Sequence, residues 1–294
     1  MTSSGIHPLD HLVLPTQSLD AARARLDALG FVVAPTGIHP FGTENCCVFL
    51  ADGTYLEPLA IGSEQAATEA AAEGNVFVAR DRLYRESHGN EGFSAVVLGT
   101  DNADGDHERY VKAGLSAGDT LSFSRTFTDA AGKSDTASFK LAFAAAHGQT
   151  DAFLFTCQRI NAPKVDRAAL QAHPNGVDGI VEVIAISGGA PAEQHRLISV
   201  AVNDPSADTQ GGAFHLPNAI LTVLDAASFT ARFGMPAGAP SELRFAAVVF
   251  SIRDIDTAAS LLAANAIEHD MSGNDIIVRP APGQGAAFIF REIQ

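Results

Sequence analysis

Two residues in the first sixty could meet and do chemistry: His11 in PLDHLVLP and Glu57 in TYLEPLAI. Both sit in apolar runs that read as strands. Side chains alternate faces along a strand, so His11 shares a face with Val13, and Tyr55 shares one with Glu57. A carboxylate inside such a run is costly to bury unless a charged partner meets it. A histidine on one strand and a glutamate on another can supply that partner together by holding a divalent metal. Each residue alone has a plainer use: His11 bonded to Asp10 or to backbone, and Glu57 on a solvated face. Finding both within one short module favours the shared site.

The elements that must position them follow from the pattern. Residues 9–14 form an apolar strand, and residues 19–29 a helix with Ala22, Leu26 and Leu29 on one face. Ser18 is placed to cap that helix and Gly30 to end it. Residues 31–35, 45–51 and 54–61 read as three further strands, the last two joined at the hairpin dipeptide Asp52-Gly53. The order is strand, helix, then three strands.

The run DHLVL, the motif HPFGTEN (residues 39–45) and the segment GTYLEPL resemble the glyoxalase-like branch of the vicinal oxygen chelate (VOC) superfamily, whose unit is this same module. The resemblance is specific over residues 8–61 and looser beyond. It implies that modules pair, each pair curling into a half-open barrel with a divalent metal (Zn, Ni, Mn or Fe) in its cleft. It also implies that His11 and Glu57 are ligands and that Glu57 doubles as the catalytic base. His39, Thr43 and Asn45 then line the mouth and orient substrate oxygens, with Tyr55 on the face of Glu57.

The rest of the chain repeats the order. Residues 63–74 read as a short helix and 75–92 as a connection. In that connection Arg80, Arg82 and Arg85 are either a clamp for an anion or, more simply, arginines in surface ion pairs. A second module follows: a strand at 93–100, a helix at 104–115, and the strands LSFSRTFT, ASFKLAFAAA and DAFLFTCQRI, the first two separated by a turn at Ala131-Gly132-Lys133. Its first strand has no histidine. Its counterpart of Glu57 falls at Cys157 or Gln158, so one of these faces the cleft, and Gln158 joins the expected substrate contacts. Relatives in this branch often carry a histidine close after this pair; here Arg159 and Ile160 stand instead. In HPNG, His173 is expected to brace the turn.

A third module begins at residues 179–187, with a helix at 191–200 and less regular strands in GGAFHLP and NAILTVLDA. The fourth runs through a strand at 243–252, a helix capped by Asp254, and the segments IEHDM, DIIVRPA and AAFIFREI. GQGAAFIF echoes GQTDAFLF at equivalent positions, as a duplicated unit would. The expected architecture is α+β: four βαβββ modules paired into two VOC-type half-open barrels. One domain spans 1–176 (modules 8–61 and 93–160) and the other 177–294 (modules 179–225 and 243–293). Extradiol dioxygenases share the four-module plan, but they take two histidines and a glutamate from the third and fourth modules. Here those first strands offer only Glu182 and the pair Ala246 and Ala247, while His215 stands at a strand end.

Composition narrows the function. A net charge of -15 with no basic patch argues against nucleic-acid binding. Three cysteines, two of them adjacent, suit neither a disulfide framework nor a zinc knuckle. No leader or membrane-length apolar run is visible, so a cytoplasmic protein is expected, acting on a small molecule, with a homodimer left open. Glyoxalase-type chemistry would make it a metal-dependent lyase, isomerase or hydrolase that stabilises an enediolate. The alternative is a metal-free binding protein, for which 46% hydrophobic residues and eighteen phenylalanines allow an apolar cleft. A purely structural role ranks last.

Overall fold

Strands buried on both faces take the middle of each sheet, and the order of elements shows which they are. A computed structural model describes residues 5–128, 134–148, 152–162, 166–204, 212–237 and 242–293. The expected turn at 131–133 lies outside these residues, as do residues 149–151 of the repeated phrase. The first module forms β1 (Leu9–Pro15), α1 (Leu19–Ala28), β2 (Gly37–Ile38), β3 (Thr43–Asn45), β4 (Val48–Phe49) and β5 (Tyr55–Ile61), followed by α2 (Glu64–Ala72) and α3 (Val76–His88). The second forms β6 (Ala95–Gly99), α4 (Ala103–Ala113), β7 (Leu121–Thr128), β8 (Ser134–Ala144) and β9 (Phe153–Asn161). The third forms β10 (Val177–Ile186), α5 (Pro191–Val202), β11 (Ala213–His215), β12 (Ile220–Leu224) and α6 (Ala226–Phe233). The fourth forms β13 (Arg244–Ile252), α7 (Ile255–Ala264), β14 (Asp270–Ser272), β15 (Asp275–Val278) and β16 (Ala287–Glu292).

The first two modules share one sheet, ordered β2-β3-β5-β1-β6-β9-β8-β7 with β4 also on β5. The last two share another, ordered β11-β12-β10-β13-β16-β15-β14. In each sheet the opening strands of the two modules meet antiparallel, β1 with β6 and β10 with β13. Each opening strand also pairs parallel with a later strand of its own module. The repeated phrase falls on equivalent strands, β9 and β16. The architecture is α+β with two sheets, the first curled nearly into a barrel. A single apolar cluster joins Leu12 and Leu56 of the first sheet to Val183, Phe250 and Phe288 of the second. No described helix is long and apolar enough to cross a membrane.

Three local readings change. Residues 31–35 are not a strand, because their polar groups and side chains are used between the sheets. The Val32 N–H donates to His173 Nδ1 (2.9 Å), the Ala34 N–H donates to the Cys47 carbonyl (2.8 Å), and Phe31 packs on His173, Phe250, Phe288 and Phe290. HPFGTEN is itself the hairpin of β2 and β3, with the His39 N–H donating to the Thr43 carbonyl. Residues 75–92 are mostly helix. Asn75 caps α3, and Phe77, Asp81 and Tyr84 lie on its buried face at helical spacing. Two of its arginines are tied down by hydrogen bonds, Arg85 to Asp81 (2.8 Å) and three carbonyls and Arg82 to Glu64 and Thr68, while Arg80 lies over Phe153. In the third module β12 lies beside β10 as β5 lies beside β1, and α6 follows it.

The HPNG turn does brace the structure. His173 accepts from Val32 and donates from Nε2 to the Phe49 carbonyl (2.9 Å), while Asn175 donates to the Leu29 carbonyl. Gly30, at φ +80°, passes so close that a Cβ would meet Leu261 and Asn175 at 2.9 to 3.0 Å. Replacing His173 by Ala leaves two half-buried backbone groups without partners. Urea unfolding of this variant should show a loss of about 1–3 kcal/mol; an unchanged midpoint would remove the bracing role.

Candidate functional site

The parallel register of β1 and β5 sets His11 opposite Tyr55 and Val13 opposite Glu57. Residues on one face are then diagonal neighbours. The His11 ring stacks on Tyr55 (centroids 4.3 Å apart, planes 13° apart) and points Nε2 at Glu57 Oε2, 3.2 Å away. Both residues are buried. The convergence expected from alternation is therefore present.

Asp10 completes the group. The pairing of β1 with β6 shifts register between Leu9 and His11, so consecutive side chains do not simply alternate there. Asp10 Oδ1 accepts from His11 Nδ1 at 2.6 Å, and the Asp10 carboxylate takes a two-pronged contact from Arg159, Nη2 lying 2.9 Å from Oδ1. Charges thus alternate along Arg159, Asp10, His11 and Glu57. Burial pushes the His11 imidazole toward neutrality, but its hydrogen bonds to the two carboxylates outweigh this and raise its pKa above 6.5. Burial likewise opposes ionisation of Glu57, but His11 and the Asn45 amide bring it down to about 2.

The hairpin supplies the rest of the floor. Asn45 Nδ2 donates to Glu57 Oε1 at 2.6 Å. His39 Nε2 lies 3.7 Å from the same oxygen, and its Nδ1 is 2.8 Å from Thr43 Oγ1. Burial holds His39 down to about 4, so at neutral pH it is an uncharged imidazole. Thr43 positions His39 rather than lining the cavity. Above the floor is a cavity of about 40 Å³ walled by Phe41, Phe77, Phe123, Phe139 and Phe155, with Tyr55, Cys47, Cys157 and Arg125 also on its surface. Gln158 is elsewhere: it accepts from the Ala103 N–H and donates to the Asp101 carbonyl, fixing the start of α4. Cys157 is the residue of that pair that faces the cleft.

Sequence reasoning missed Arg159, Arg125 and the phenylalanine walls. Arg159 was visible as a departure from relatives, but its partnership with Asp10 spans 149 positions.

The donor set does not fit a divalent ion. Among the described residues no three His, Cys, Asp or Glu side chains are arranged to hold one. From the second module Cys157 offers a thiol whose pKa burial pushes up, away from thiolate. The described residues of the third and fourth modules offer no substitute. There Glu182 is held by Arg232 and Arg291, and Phe229 and Phe233 of α6 pack onto the face where a cleft would open.

Comparison with known families finds that the one described as "Glyoxalase-like domain" matches residues 9–201. No curated protein sequence matches. Among solved structures, a hypothetical protein from Staphylococcus aureus is 12% identical at a TM-score of 0.61, covering 97% of this chain and 99% of that one. A triple mutant of 4-hydroxymandelate synthase from Streptomyces coelicolor is 14% identical at 0.59, covering 98% and 93%. A xylose isomerase-like TIM barrel/4-hydroxyphenylpyruvate dioxygenase fusion protein is 9% identical at 0.52, covering 98% of this chain and 49% of that one. At these identities the likeness is one of fold alone.

The floor makes stability depend on pH from both sides. The raised pKa of His11 gives a contribution that is full below 6.5 and lost as pH rises through the raised value. The depressed pKa of Glu57 gives one that is full above 4.5 and lost as pH falls toward about 2. Buried neutral His39 costs stability as pH falls from 6.5 toward about 4, because the unfolded chain takes up that proton first. Glu57→Gln should lower stability at neutral pH by roughly 3 kcal/mol. It should also lower the His11 pKa read by NMR, moving the alkaline loss to lower pH. An unmoved His11 titration would show that Glu57 does not hold its proton.

Proposed function

This chain belongs to the glyoxalase-like domain family, and from that membership we propose that its first sheet carries a small-molecule-binding site that works without a resident metal. The observation behind this is the floor itself, where His11 and Glu57 satisfy one another inside an aromatic cavity and, among the described residues, no three His, Cys, Asp or Glu side chains are arranged to hold a metal ion. Buried ionic groups facing an apolar cavity mark a ligand site more often than a stabilising device. Glu57, ionised, still has lone pairs to accept a ligand hydroxyl or enol. His39 Nε2 faces the same oxygen and presents a donor or an acceptor according to its tautomer.

A second reading makes the site catalytic, and the short chain from Asp10 through His11 to Glu57 favours it. Glu57 would take the proton from a carbon beside a ligand carbonyl, the C–H electron pair passing to the carbonyl oxygen as an enolate. His11, held protonated, offsets the negative charge. For an α-hydroxy carbonyl ligand, returning the proton to the former carbonyl carbon while the neighbouring hydroxyl proton passes to the enolate oxygen completes an isomerisation with no net change in atoms or electrons. Glu57 at about 2 is a weak base until a ligand loosens its bonds, so binding precedes any chemistry.

Metal analysis of untagged protein, purified without chelator, separates these from the metal-dependent lyase. The expected result is substoichiometric Zn, Ni, Mn and Fe, with no rise in melting temperature when any of these ions is added. One equivalent of metal in the wild type, lost in both His11→Ala and Glu57→Gln, would replace the present reading by the metal-dependent one.

A further inference from the structure

The charges on the cleft floor cancel in pairs, Arg159 with Asp10 and His11 with Glu57. Among the described residues Arg125 has no such counterpart. It stands on β7, lines the cavity, and lies with its guanidinium carbon 5.8 Å from the centroid of Phe139. Among the described residues it makes no hydrogen bond or ion pair. Gly37 makes room for it: a Cβ there would lie 2.3 Å from Arg125 Nη1 and 2.5 Å from Asn45 Oδ1, so a side chain at this position would push the guanidinium or the amide aside. Arg167 lies beyond, its guanidinium carbon 4.2 Å from the centroid of Phe49, a ring that in turn meets Tyr55. A positive cleft in a chain of net charge -15 is a local arrangement and not a reflection of composition.

From Arg125, which has no partner among the described residues, the gap at Gly37 and the five phenylalanines we infer that the ligand is an organic anion with an aromatic body. Its carboxylate, or a comparable oxyanion, meets Arg125. Its ring lies among Phe41, Phe77, Phe123 and Phe155, and a donor group at the far end reaches Glu57. Guanidinium pairs well with a carboxylate in two-pronged geometry, and a half-buried site strengthens the contact. The orientation follows from charge, since Glu57 accepts hydrogen bonds and repels a second anion. This inference rests on the small-molecule reading above and adds the class of molecule.

Calorimetric titration of the full chain with 4-hydroxyphenylacetate and with its neutral primary amide tests it. The carboxylate should bind roughly 10- to 100-fold tighter than the amide. Arg125→Met should abolish that preference and leave amide affinity within about twofold. Gly37→Ala, which keeps the charge but displaces it, should reduce the preference. Raising salt from about 0.05 to about 0.5 M should weaken the carboxylate and spare the amide. Equal affinities in the wild type, a preference that survives Arg125→Met, or binding of neither compound at about 10 mM would each overturn the assignment. Tight amide binding without charge preference would strike only the anion and leave the small-molecule site standing. One equivalent of metal in the separate analysis would strike the metal-free reading instead.

Discussion

Three ionised side chains in a row inside a sheet are expensive, and the first half of the molecule is built to make them tolerable. An unpaired buried ion costs several kcal/mol even after relaxation. Asp10, His11 and Glu57 avoid this because each meets an opposite charge, the row ending at Arg159. The register shift in β1 brings Asp10 to the same imidazole that faces Glu57. The parallel register of β1 and β5 brings Glu57 to Nε2, and the β2/β3 hairpin delivers the Asn45 amide to the remaining carboxylate oxygen. Removing any of these leaves a charge without its counterpart.

Duplication gave the second sheet the same topology, but it solved the burial problem differently. On β10, the counterpart of β1, Glu182 turns to Arg232, Arg291 and Thr222. Helix α6 then lays Phe229 and Phe233 against Ile184, Ile186, Val249 and Ile289. An apolar face that would otherwise need a ligand or water is covered by the chain itself, each large side chain worth roughly 1.5–3 kcal/mol when fully buried. On the first sheet Ala67 of α2 and Val76, Phe77 and Val78 of α3 pack with Val13, Leu59, Ala95 and Val97 in the same way, and a cavity walled by phenylalanines stays open beside them.

What the sequence disclosed tracks the distance over which the forces act. Strand alternation, a cap at Ser18 and the acidic residue between Leu56 and Pro58 are local signals, and they brought His11 and Glu57 together correctly. Residues 31–35 look like a strand because they are apolar, yet their partners His173, Phe250 and Phe288 lie more than a hundred positions away. The α3 helix was obscured because its buried face includes Asp81, whose burial is intelligible only with Arg85 four residues on. Cys157 and Gln158 could not be told apart because a shift of one residue exchanges the two faces of a strand. The Asp10 to Arg159 contact depends on a bulge, and bulges leave no periodic trace.

A proton and a metal ion compete for the same nitrogen, and the surroundings of His11 favour the proton. A cation at Nε2 requires the neutral imidazole, whereas Asp10 and Glu57 together stabilise the protonated form. Metal uptake would therefore release a proton and lose the charge match on both sides of the ring, a cost set against whatever the new bonds return. In metal sites a carboxylate behind a histidine usually raises the basicity of the ligand while the metal supplies the positive charge in front. Here Asp10 stands behind and Glu57 in front, and the imidazolium already supplies that charge.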